Sequence, residues 1–102
     1  MVVEYIRYRI APERAAGFIE AYQQASASLA DSPSCLGYEL ARCSEDAEQF
    51  ILRILWQSID AHLKVFRASP QFQTFFRAIQ PYVADIQEMR HYERTAVQWT
   101  RP

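Results

Sequence analysis

Phe50-Ile-Leu-Arg-Ile-Leu-Trp56-Gln-Ser58, then Ile59-Asp-Ala-His62-Leu-Lys-Val-Phe66-Arg67, then Ala68-Ser69-Pro70-Gln-Phe72-Gln-Thr-Phe75-Phe76, is the stretch whose reading decides the fold. Its first piece is β-branched, aliphatic or aromatic, with one charge and no Gly or Pro, which is the composition of a strand. Ser58 is an N-cap candidate, and Asp60 in the following turn suits the positive end of a helix. Ser69-Pro70 is a second start signal, a cap residue before a proline at the first helical position. A strand therefore delivers Trp56 to its end, and a helical segment broken near Ala68 to Pro70 folds back over it. That segment carries His62, Phe66, Phe72, Phe75 and Phe76. The cluster admits two readings: a well-filled core, or a small aromatic pocket with a few polar groups.

Outward from this stretch, the chain reads as one domain over residues 1–102. Val2 to Ile10 is a strand, with Glu4, Ile6 and Tyr8 on one face and Tyr5, Arg7 and Arg9 on the other. Pro12 opens a helix to about Leu29, whose apolar face holds Phe18, Ile19, Tyr22, Ala25 and Leu29. Cys35 to Cys43 is the second strand, in which Gly37 marks a bulge or a close backbone approach. It forms a hairpin with the strand from Gln49 to Gln57. The broken helix runs to about Val83, with Pro81 distorting or ending it. Ile86 to Ala96 is the last strand, and the tail containing Trp99 is unassigned.

The order strand, helix, strand, strand, helix, strand predicts an α+β fold, the ferredoxin-like split βαβ with a four-stranded antiparallel sheet. Helices cover one face. On the other we expect Tyr5, Arg7, Leu36, Tyr38, Ile51, Arg53, Met89 and His91, too apolar for water and too charged for a core. A second copy of the same face would bury them, which predicts a homodimer.

Half the residues are hydrophobic, so a core forms without staples. A net charge of −1 gives no drive toward nucleic acid or an anionic membrane, and no apolar run approaches the roughly 18 residues of a membrane span. The N-terminal residues lack a secretory pattern. Cys35 and Cys43, eight residues apart on one strand, would be separated by about 26 Å at about 3.3 Å per residue, too far for a disulfide. Two unpaired thiols point to a reducing compartment, most simply the cytoplasm. Spacing and histidine count give no support for a metal site. With only Gly17 and Gly37, no phosphate-binding loop exists.

The run Trp56-Gln-Ser58, Ala61-His62-Leu63 and Phe66-Arg67-Ala-Ser69-Pro70-Gln-Phe72 resembles the antibiotic biosynthesis monooxygenase family. So do Ser34-Cys-Leu-Gly37-Tyr38 and Glu88-Met-Arg-His91-Tyr92-Glu. The resemblance implies ferredoxin-like dimers whose sheets pack into an α/β barrel. The family that the chain resembles includes cofactor-independent quinol and polyketide monooxygenases, haem-degrading enzymes and many members without a known substrate. Trp56 matches the family's pocket tryptophan. The asparagine and histidine of the haem-degrading branch correspond to Ile6 and Phe76, so haem is disfavoured; flavin is disfavoured because no nucleotide-binding loop exists. Two histidines of the quinol-oxidising branch correspond to Phe66 and Gln71; the nearest imidazole is His62, one turn before Phe66.

The resulting expectation is a cofactor-independent monooxygenase acting with molecular oxygen on a small aromatic, quinol or polyketide-type substrate. His62 is the candidate proton acceptor, since an unperturbed imidazole titrates near pH 6.5; the plainer reading makes it a surface or capping residue. Trp56 is the wall on which a planar substrate lies. Tyr8 is a candidate hydrogen-bond donor, and Ile6, Phe66, Phe72 and Phe76 are the substrate-contacting residues. Arg67 is either a partner for a substrate oxygen or a solvated arginine. His91, by strand alternation, faces away from Trp56 and into the dimer interface. The alternative function is a dimeric binding or accessory protein for a small aromatic ligand.

Overall fold

In the computed structural model, which covers all 102 residues, the strands are β1 (Val2–Arg9), β2 (Cys35–Arg42), β3 (Gln49–Trp56) and β4 (Ile86–Glu93). The α-helices are α1 (Ala15–Ala30), entered through a 3-10 turn at Pro12–Arg14, and α2 (Pro70–Ile79). The sheet order is β2-β3-β1-β4, with every neighbouring pair antiparallel. This is the expected split βαβ arrangement. β1 lies between β3 and β4, and its alternation buries Glu4, Ile6 and Tyr8 under the helices while Tyr5 and Arg9 stay exposed. From α1, Phe18, Tyr22, Ala25 and Leu29 fill the core as the helical spacing predicts.

The helical break falls where the Ser69-Pro70 signal places it. Ser58 Oγ accepts the Ala61 N–H and starts a single π-helical stretch, Ala61–Phe66. Arg67 N–H closes it by donating to the His62 carbonyl. After a turn, Ser69 caps α2 by accepting the Phe72 N–H. α2 stops at Ile79, and a 3-10 segment, Gln80–Asp85, accommodates Pro81. β4 ends at Glu93, earlier than Ala96: Glu93 pairs with Val2, the first residue of β1, and beyond it Arg94 N–H donates to the Met1 carbonyl.

Two β-bulges change which residues share the open sheet face. Between β2 and β3 the register shifts at Leu36, so Tyr38 and Leu40 pair with Ile54 and Leu52 on the helix side. Between β1 and β4, Glu88 pairs with Arg7 but Ile86 pairs with Tyr8, leaving Gln87 as the extra residue. Counting by twos from Ile86 therefore fails. Met89 and His91 lie opposite Ile6 and Glu4, on the helix side. The expectation that Tyr38, Met89 and His91 belong to the open face is corrected, and Leu36 sits in the bulge. Tyr5, Arg7, Ile51 and Arg53 are on the open face as expected, joined by Arg90 and by Tyr92, whose ring packs edge-on against Tyr5 at 5.5 Å.

Candidate functional site

Four segments converge at the Trp56 end of the sheet. β1 supplies Glu4, Ile6 and Tyr8; β3 ends in Trp56; the π-helical stretch supplies His62 and Phe66, with Arg67 following; β4 supplies Met89 and His91. α2 closes the space with Phe72, Phe75, Phe76 and Ile79. Together, His91 apart, they line a partly open cavity of about 230 Å³. All seven residues nominated from sequence, Ile6, Tyr8, Trp56, His62, Phe66, Phe72 and Phe76, border it. Phe76, 38% exposed, lies at its edge, whereas Trp56 and Phe66 are fully buried. A more open groove of about 320 Å³ between α1 and β2 contains no imidazole.

The polar end of the cavity is a short chain of groups. Trp56 Nε1–H donates to Glu4 Oε1 at 3.1 Å. His62 stacks on the Trp56 indole with ring centroids 4.6 Å apart. His62 Nε2 stands 3.6 Å from the same Glu4 oxygen, while His62 Nδ1 lies 2.7 Å from His91 Nε2. Glu4 is 1% and His62 4% exposed, so His62 is neither a surface nor a solvated capping residue. His91 is not turned away from Trp56; the bulge at Gln87 brings it to this chain.

Burial sets the charges. It pushes Glu4 up to about 7, opposed by the Trp56 hydrogen bond and the nearby Arg67 charge. Burial drives His62 down to about 3, with the charges of Arg67 and His91 acting in the same direction. His91 is lowered too, by burial and then Arg67. Despite its proximity to Glu4, His62 is therefore a neutral imidazole at neutral pH, and the two do not form a salt bridge. The group poised to exchange a proton near neutrality is Glu4, which sequence reading did not single out. Its only signal was a carboxylate sharing a strand face with Ile6 and Tyr8. Tyr8 is raised to about 12, chiefly by burial, and shares a hydrogen bond with Tyr22.

Glu4, His62 and His91 each present one ligand-type atom, all within 4.8 Å of one another. Their closest approaches, however, use opposite nitrogens of His62, one toward Glu4 and one toward His91. That is the geometry of a chain, whereas a chelate turns one atom of each residue toward a common point. Ile6 and Phe76, which border the cavity, are hydrocarbon side chains with no metal-ligating atom. The cavity is also smaller than the ~300–1,000 Å³ usual for drug-sized ligands.

Known proteins resemble the chain throughout. A family model described as antibiotic biosynthesis monooxygenase matches residues 1–78. An uncharacterized protein of Bacillus subtilis (strain 168), YczJ, is 20% identical over 76 residues, 74% of this chain and 80% of the relative. A Bordetella bronchiseptica crystal structure named for the same family superposes with a TM-score of 0.80 at 24% identity, covering 92% of this chain and 96% of the other. A conserved protein from Methanosarcina mazei Go1 gives 0.77 at 15% identity, covering 92% of each chain. At these identities the structural likenesses establish the fold.

Proposed function

Because the chain belongs to the antibiotic biosynthesis monooxygenase family, we propose that it is a cofactor-independent monooxygenase for a small aromatic, quinol or polyketide-type substrate. The observation that carries this reading is an aromatic-walled cavity with buried proton-carrying groups, Glu4 and His62, beside Trp56. A planar substrate stacks within the aromatic wall. Loss of a hydroxyl proton makes its anion easier to oxidise, and O₂ then attacks a ring carbon. The protein contributes proton transfer, orientation and exclusion of water.

Electron balance requires no external reductant. A hydroquinone and O₂ give a hydroxyquinone and water, the electrons for the second oxygen atom coming from the substrate. A phenol with a hydrogen-bearing ring carbon para to its hydroxyl balances in the same way, giving a quinone and water. Quinols and phenolic polyketide rings both fall within the substrate class. No haem or flavin is required.

The working unit in this reading is a homodimer joined through the open sheet faces to form an α/β barrel. Tyr5, Arg53 and Tyr92 supply the aromatic and Arg mixture usual in interfaces. Cys35 and Cys43 are both free thiols, which fits a cytoplasmic setting, and no helix is long and apolar enough to cross a membrane.

The test is oxygen uptake with 1,4-dihydroxynaphthalene and related quinols. Uptake above autoxidation, with one atom of ¹⁸O₂ entering the product, supports the reading. No uptake above autoxidation across the panel overturns it. A second reading, a binding protein for a small aromatic compound, draws on the largely apolar wall of the cavity; quenching of Trp56 fluorescence by the quinols without turnover would favour it.

A further inference from the structure

Glu4 and His91 are direct cross-strand partners of β1 and β4, so their side chains rise from the same face of the sheet. His62 comes down from the π-helical stretch and fills the space between them. One end of this series, Glu4, borders the substrate cavity. The other, His91, is partly exposed and borders a separate surface depression formed with Gln57, Ser58, Ile59 and Glu93. Trp56 itself borders the cavity and not the depression. The structure thus holds a series of proton-carrying atoms, with one 3.6 Å gap between His62 and Glu4, from inside the cavity to a separate surface depression.

Resting on the reading of the cavity as an oxygenase site, we propose that Glu4 is its proton acceptor and that His62 and His91 relay that proton between Glu4 and solvent. Each state of Glu4 has a matching arrangement of the two imidazoles. With Glu4 ionised, His62 Nε2–H points to the carboxylate and His91 Nε2–H donates to His62 Nδ1. With Glu4 protonated, its O–H points to His62 Nε2 and His62 Nδ1–H donates to His91 Nε2. In passing from the protonated to the ionised arrangement, the Glu4 proton moves to His62 Nε2, the His62 Nδ1 proton to His91 Nε2, and the His91 Nδ1 proton to solvent; the reverse shift reprotonates Glu4. No imidazolium has to persist in the buried position, which agrees with the neutrality of His62. The 3.6 Å separation of His62 and Glu4 exceeds a hydrogen bond, and catalytic contacts of this kind tighten when substrate is bound.

In the quinol reaction the substrate O–H bond breaks toward a Glu4 carboxylate oxygen. The same number of protons is later returned as the reduced oxygen atom leaves as water, so the enzyme ends unchanged. The relay resets Glu4 when substrate arrives or product leaves in the wrong protonation state, without the cavity having to open. Arg67, following the π-helical stretch, is the cation whose charge acts on this series; Tyr8 from β1 and Tyr22 from α1 are the titratable groups that the Glu4 charge reaches.

Two measurements test the inference, one of which needs no oxygenation. The first is turnover of 1,4-dihydroxynaphthalene. Glu4→Gln keeps the acceptor for Trp56 Nε1–H, and is expected to lose about 10²–10⁴-fold in turnover while retaining cooperative unfolding. His91→Ala is expected to slow turnover with KM unchanged, and added imidazole, entering the surface depression, is expected to restore it. The second is a pH jump on protein-bound 4-nitrophenol, whose anion absorbs visibly. His91→Ala should slow appearance of the bound anion, again with rescue by imidazole, and leave its final amount unchanged.

Undiminished turnover in Glu4→Gln overturns the acceptor, and an unaltered pH-jump rate in His91→Ala overturns the relay. A stoichiometric divalent metal in purified protein, lost in His91→Ala, also overturns the relay in favour of a chelate. If 4-nitrophenol behaves as expected while no quinol is oxidised, the relay stands and the oxygenase reading fails.

Discussion

Trp56 and His62 lie face to face, their ring planes 11° apart, and both rings address one oxygen of Glu4. The indole does two jobs at once. Its face holds the imidazole in place, and its N–H stabilises the ionised form of a carboxyl that burial otherwise keeps protonated. Trp56 thus influences proton chemistry as well as walling the cavity.

Trp56→Phe isolates the second job, because the ring face survives while the donor is lost. Loss of the donor removes a hydrogen bond that favours ionised Glu4, so the carboxyl should rise above about 7. The pH dependence of quinol turnover should move toward alkaline pH. An unsatisfied buried carboxylate oxygen should also cost about 1–3 kcal/mol of stability. An unshifted profile would show that the indole N–H does not tune Glu4.

Glu4→Gln should change how stability varies with pH. Native Glu4 ionises near 7, against the ordinary value of 4.5. Between those values the native protein holds a proton that the unfolded chain has released. The favourable contribution is present below about 4.5 and is lost as pH rises through about 7, amounting to up to about 3 kcal/mol. Glutamine has no such loss. Denaturant titrations at pH 5 and pH 8 should show Glu4→Gln gaining stability relative to wild type at the higher pH. A difference that is constant with pH would contradict the shifted carboxyl.

The same residues show what a sequence can and cannot reveal about this site. Alternation along β1 and β3 put Ile6, Tyr8 and Trp56 on one face, and helical starts at Ser58 and Ser69 brought His62, Phe66, Phe72 and Phe76 over them. Those rules are local, and they placed the cavity. The position of His91 depends on Gln87 being extra in its pairing with β1. Gln87 has no glycine or proline beside it to mark a bulge, so strict alternation sent Met89 and His91 to the wrong face. Gly37 did flag the β2 bulge, although its consequence for Tyr38 was not evident from the spacing. Glu4 was hidden for another reason. Whether a strand carboxylate is solvated or buried depends on residues more than fifty positions away, here Trp56 and His62.

The open sheet face should make the protein a dimer. Tyr5 is central to this face, paired with Arg53 on one side and Arg90 on the other. A two-fold interface uses each residue twice, so one substitution introduces two defects. Light scattering should give twice the 11.9 kDa chain mass at micromolar concentration. Tyr5→Glu should reduce it to the single-chain mass while leaving the circular dichroism of the fold intact. Wild-type protein at the single-chain mass would remove the proposed barrel.

The break between the π-helical stretch and α2 should prove energetically specific at Ser69. Its Oγ accepts the Phe72 N–H and also donates to the Phe66 carbonyl. One hydroxyl therefore ties the segment carrying His62 and Phe66 to the helix carrying Phe72 and Phe76. Ser69→Ala removes one of two acceptors of the Phe72 N–H, which also reaches the Ser69 carbonyl at 3.2 Å, at a cost toward the lower end of about 0.5–2 kcal/mol. Ser69→Asp keeps an acceptor and places negative charge at the positive helix end, so it should recover most of that loss. If the cap also sets the cavity, Ser69→Ala should weaken binding of 4-nitrophenol by more than Thr74→Ala, because the Thr74 hydroxyl bonds only within α2, to the Pro70 carbonyl. Equal stability of Ser69→Ala and wild type would mean that Pro70 alone starts the helix; equal binding in the two alanine variants would mean that the aromatic packing of Phe66 with Phe72, at 5.6 Å between ring centroids, holds the wall without the cap.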